Sequence, residues 1–94
     1  MQAARGYYAT LGDASPEALQ VETERARLDL TLGKSAAAAA AMETTVARLE
    51  ERFGKENRVL VEPLEILARA YRALDRGADA ERVAQRAAAL AGGR

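Results

Sequence analysis

The chain has no cysteine and no histidine. Without thiols there is neither a disulfide framework nor a thiolate metal site. Without imidazole the usual general base and the commonest zinc ligand are both missing. Aromatics are few: Tyr7, Tyr8, Tyr71 and Phe53 make up 4% of the chain. The longest purely apolar run is Ala36 to Met42, far short of the about 20 residues that span a bilayer. No charge sign is in excess, since 14 Lys+Arg balance 14 Asp+Glu. Nothing global therefore draws the chain to nucleic acid or to an anionic membrane. The opening stretch MQAARGYYATLGD lacks a basic segment followed by an apolar one, so no export signal is expected and the default is a cytoplasmic protein or an excised piece of a larger one.

What the chain does have is charge and alanine. Charged residues are 30% and hydrophobic residues 49% of 94, the profile of a soluble helical protein with close helix contacts. At this length it is at most one small domain, marginal as a lone monomer. The clearest pattern runs from Leu64 to Ala91. Leu64, Leu67, Ala68, Tyr71 and Leu74 mark one face of a helix, and Ala80, Val83, Ala84, Ala87 and Ala91 mark a second. Asp75-Arg76-Gly77 joins them, and so short a link makes two helices antiparallel neighbours.

Three more helices are expected upstream. Residues 2–11 carry Ala4, Tyr7, Tyr8 and Leu11 at helical spacing, with Gly6 as an interruption. A helix from Pro16 to about Leu32, with Ser15 as its cap, has a scattered stripe of Leu19, Ala26, Leu28, Leu30 and Leu32. A third, Ala36 to Phe53 with Ser35 as its cap, lines up Ala38, Ala39, Met42, Val46, Leu49 and Phe53. Asn57 caps the fourth, expected from about Arg58 with a bend at Pro63; the other reading starts it near Glu62 with the proline in its first turn.

The chain also resembles itself. Gly12 and Gly54, Leu11 and Phe53, Ala26 and Ala68, Leu32 and Leu74, and Ala38 and Ala80 are all 42 positions apart. Residues 12–53 and 54–94 read as two copies of one unit, with 1–11 as the tail of a preceding copy. Arg25 stands where Leu67 would, and Asp29 where Tyr71 would.

Leu64, Leu67, Ala68, Tyr71, Ala80 and Ala87 occur in the order and spacing of the tetratricopeptide signature. The stretches LARAYRAL and ADAERVAQRAA, after the Gly-containing loop in RLEERFGKENRVLVEPLEIL, resemble its kinesin-light-chain-like, long-repeat branch. The resemblance implies an all-α array of about five helices, stacked as antiparallel hairpins in a superhelix. It also implies a peptide groove lined by the leading helices, about 16–32 and 58–75. Carried onto this chain, the groove comprises Gln20, Thr23, Arg27 and Thr31, with Glu62, Glu65, Arg69 and Arg72. Paired arginines suit carboxylates, so the implied partner is a protein or peptide with an acidic segment. The asparagine and lysine set with which such proteins clamp a terminal carboxylate is missing, and no clamp is assigned. The other reading of the same row is a solvated face, with Glu65 and Arg69 paired at i,i+4.

Two functions follow as expectations. One is a protein–protein interaction module without cofactor, metal or catalytic role. Its carboxylates, Glu22, Glu24, Glu50 and Glu51, are helix-surface charges with no Cys, His or phosphate loop beside them. The other is a scaffold whose exposed ends drive homo-oligomerisation, because two repeats and a stub fall short of the roughly three a self-sufficient stack needs.

Overall fold

The computed structural model describes residues 16–92. Among them are four α-helices and no strand: α1 (Pro16–Thr31), α2 (Ser35–Phe53), α3 (Val61–Ala73) and α4 (Gly77–Gly92), with a single 3-10 turn, Arg58–Leu60, leading into α3. The helix expected over 2–11 and the Ser15 cap lie outside the described residues.

Helix α1 ends and α2 begins through a turn that recurs 42 positions later between α3 and α4. In the first turn the Lys34 N–H donates to the Asp29 carbonyl (2.7 Å) and the Gly33 N–H to the Leu30 carbonyl (3.1 Å). In the second, the Arg76 N–H donates to the Tyr71 carbonyl (2.8 Å) and the Asp75 N–H to the Arg72 carbonyl (3.1 Å). Each is a Schellman closure, which satisfies the last carbonyls of a helix through one left-handed residue. That residue is Gly33 (φ 81°) in one turn and Asp75 (φ 63°) in the other.

Two sequence expectations change here. Ser35 does not cap α2: Lys34 holds the N-cap position without a side-chain bond. The turn hands straight over to the helix, since the Lys34 carbonyl already accepts from the Ala38 N–H (3.1 Å). Pro63 does not bend a helix that starts at Arg58. The chain takes a 3-10 turn first, and the α-helix starts at Val61. Proline then falls in the first turn, where its missing N–H would have had no intrahelical partner. Asn57 caps as expected, its Oδ1 accepting the Val59 N–H at 2.8 Å.

The helices close over two apolar clusters. Ala26, Ala38, Ala39, Met42, Ile66, Leu67, Ala70, Tyr71 and Ala80 form one, with Leu30 and Leu74 against it. Val46, Leu49, Leu60, Leu64 and Ala87 form the other, with Leu19 against it. The amino-terminal half of α2 thus shares a cluster with the carboxy-terminal half of α3, and the reverse holds at the other end, so the two run antiparallel. Alanines at Ala26, Ala38, Ala70 and Ala80, all fully buried, let the backbones approach closely. Phe53, read as part of the α2 stripe, is instead 44% exposed at the last position of the helix.

The scattered stripe of α1 resolves into two opposite faces. Leu19, Ala26 and Leu30 turn inward to the clusters. Val21, Leu28 and Leu32 point outward and are 62%, 56% and 59% exposed.

Candidate functional site

Helix α3 buries Pro63, Leu64, Ile66, Leu67, Ala68, Ala70 and Tyr71, so its other side must carry Glu62, Glu65, Arg69 and Arg72. All four are exposed. Glu65, Arg69 and Arg72 border an open recess of about 420 Å³ whose remaining wall includes Arg27, Ala68, Ala84, Ala87 and Ala88. A second recess adjoins it, lined by Arg27, Leu30, Thr31, Ser35, Arg69 and Ala73. Arg27 and Arg69 stand at the rim of both.

The charges around the recess are unevenly satisfied. Arg27 bridges α1 to α3 through an ion pair with Glu62 and also reaches Glu24 of its own helix at 3.3 Å. Arg69 and Arg72 make no ion pair among the described residues, Glu65 and Arg69 included. Two guanidiniums one turn apart, with alanine beside them, are thus left with their donors facing solvent.

Of the other expected groove residues, Thr31 lines the second recess, its hydroxyl donating to the Arg27 carbonyl (3.1 Å). Glu62 serves the Arg27 pair rather than the recess wall. Gln20 is exposed and borders neither recess. Thr23 is not a surface residue at all. It is 3% exposed, with its hydroxyl donating to the Gln20 carbonyl at 3.0 Å, which lets a polar side chain be buried without an unmet hydrogen bond. The sequence puts Ala84 and Ala87 in the apolar stripe of α4 rather than in the groove, although the 42-residue offset from Met42, Thr45 and Val46 leads to Ala84, Ala87 and Ala88.

Arg76, in the turn between α3 and α4, takes no part in the recess. Its guanidinium lies 4.2 Å from the centroid of the Tyr71 ring and pairs with Asp79 at 2.9 Å. Asp79 also takes Arg82, and the Tyr71 hydroxyl donates to Glu43. Burial, then the Glu43 bond, push the Tyr71 phenol above its ordinary value. The Arg76 hydrogen bond holds the Asp79 carboxyl below the usual carboxylate range. These contacts tie α2, α3 and α4 together at the turn and leave no free group there. A third recess, beside Glu50, Lys55 and Glu56, is likewise spoken for: Arg86 is held by Glu50 (2.6 Å) and the Lys55 carbonyl (3.0 Å).

Among the described residues no group of three or more carboxylates is placed to hold a metal ion, and no helix is long and apolar enough to cross a membrane. Comparison with protein-family models, curated proteins and solved structures finds no match for the chain.

Proposed function

We propose that the chain is a protein–protein interaction module of tetratricopeptide-like build, whose recess on α3 takes an acidic segment of its partner. The observation that carries this reading is the pair Arg69 and Arg72, exposed, without ion pairs, and bordering the recess with Arg27. Guanidiniums left without carboxylates are matched to carboxylates from outside, which they bind by charge-assisted, frequently bidentate hydrogen bonds. The alanines beside them admit a partner backbone at close range. The repeated turn, with the same hydrogen bonds 42 positions apart, supports the reading of two like hairpins stacked in series. The role is binding rather than catalysis, for the chain offers neither Cys nor His. A short fluorescein-labelled glutamate-rich peptide, titrated by fluorescence anisotropy, tests the groove. Binding should weaken at least about tenfold, or about 1.4 kcal/mol, in the Arg69→Glu/Arg72→Glu variant. Equal affinity of wild type and variant discards the groove.

A further inference from the structure

The 42-residue offset can be applied to the recess itself. Within the chain, Ala26 and Leu30 of α1 and Met42 and Val46 of α2 share apolar clusters with α3, Arg27 pairs with its Glu62, and Thr23 and Thr45 are buried one turn away on the same helices; these seven are taken as the seat of α3. Moved forward by 42, these positions become Glu65, Ala68, Arg69, Arg72, Ala84, Ala87 and Ala88. All seven line the open recess. The recess is therefore the second copy of a seat whose first copy is filled by a helix.

The side of α3 that fills the first seat includes Pro63, Ile66, Ala70 and Leu74. Moved back by 42, these become Val21, Glu24, Leu28 and Leu32 on α1, the ridge whose three apolar members are more than half exposed. From these two surfaces we infer that the chain associates head to tail, the α1 ridge of one copy seated in the α3–α4 recess of the next. This rests on the groove reading and names the groove's occupant.

The differences between filled and open seats are complementary. Met42 of the filled seat is Ala84 in the open one, and Ala70 of the filling helix is Leu28 on the ridge. The bulk removed from one side returns on the other, as close packing requires. Charge follows the same rule. Ile66 and Leu30 meet in one apolar cluster of the filled seat, and their counterparts are Glu24 and Arg72, a carboxylate and an unpaired guanidinium. The symmetry is heterologous, so copies add in series rather than closing as a two-fold dimer.

Sedimentation velocity over a concentration series, with circular dichroism to confirm helix content, tests this. The wild-type weight-average mass should rise with concentration through twice the monomer. Glu24→Arg alone and Arg72→Glu alone should each weaken association at least about tenfold, and the two changes in one chain should restore it. A chain carrying Leu28→Glu, mixed with one carrying Ala84→Glu, should form dimers and nothing larger, because one competent ridge and one competent seat remain. A wild-type monomer at every concentration overturns the proposal, as does failure of the charge swap to restore association in a folded chain. Covering of the ridge by residues 1–15 of the same chain would appear as the first of these. Capture of the glutamate-rich peptide by such a monomer would leave the groove reading standing while the self-docking falls. Swap rescue upholds the self-docking whether or not that peptide binds.

Discussion

Gly33→Ala and Asp75→Gly should shift stability in opposite directions, though both change one small side chain in the same kind of turn. Each residue holds the left-handed position of a Schellman closure, at φ 81° and 63°. A Cβ placed on Gly33 meets nothing within 4 Å, so the cost of alanine there is purely conformational. An L-residue in the left-handed region costs about 1–2 kcal/mol. Against this stands a gain of about 0.4–1 kcal/mol from a less flexible unfolded chain, leaving roughly 1 kcal/mol of net destabilisation. Asp75 already bears the penalty, softened because aspartate tolerates this region better than most. Its replacement by glycine removes the strain and loses some unfolded-state restriction, for a net gain of roughly 0.5 kcal/mol. At about 4–8 °C per kcal/mol for a domain of this size, thermal unfolding followed by circular dichroism should show a fall of several degrees for Gly33→Ala. For Asp75→Gly it should show a rise of a few degrees. An unchanged midpoint for Gly33→Ala, or a lowered one for Asp75→Gly, would refute the left-handed assignment of the turns.

Leu49 is fully buried in the cluster between α2, the 3-10 turn, α3 and α4, so Leu49→Ala should cost about 3 kcal/mol in urea unfolding; a loss below about 1 kcal/mol would mean the cluster is not packed. Because the Asp79 carboxyl is depressed in the fold, its contribution is present above the unfolded carboxylate range and fades as pH falls through the lower folded value. The gap in melting temperature between wild type and Asp79→Asn should accordingly be wider at neutral pH than in strong acid, and a gap independent of pH would exclude the Arg76 pairing. The Tyr71 phenol, raised by burial and by Glu43, contributes stability that holds below the ordinary tyrosine range and is lost as pH rises through the folded value. In a Tyr7→Phe/Tyr8→Phe background, its phenolate absorbance should appear at higher pH than in free tyrosine; ionisation at the free value would show the hydroxyl to be open to water.

Helix periodicity made most of the architecture legible. Leu64, Leu67 and Tyr71, with Ala80 and Ala87, mark faces that the structure buries, because the 3.6-residue repeat reports burial wherever a helix has one apolar side. Where it misled, a local hydrogen bond or a missing neighbour is the cause. Thr23 reads as surface because it is polar, yet a bond to its own helix lets it be buried. Leu28 and Leu32 blur the α1 stripe because they belong to a second, uncovered face. Ser35 looks like a cap, but the preceding Schellman closure runs directly into α2. That Glu62, Glu65, Arg69 and Arg72 share one side of a helix was readable from their spacing. Which arginines lack a partner was not, since Glu62 crosses to Arg27 and no residue in sequence reach takes Arg69 or Arg72.

The most direct test of the arginine face is an NMR titration of the ¹⁵N-labelled Leu28→Glu variant, chosen to keep the recess open, with the glutamate-rich peptide. The Nε–H signals of Arg69 and Arg72, and to a lesser degree Arg27, should shift together and saturate, while those of Arg76, Arg82 and Arg86, already held by carboxylates, stay in place. Shifts confined to the latter three, or none at all, would contradict the account.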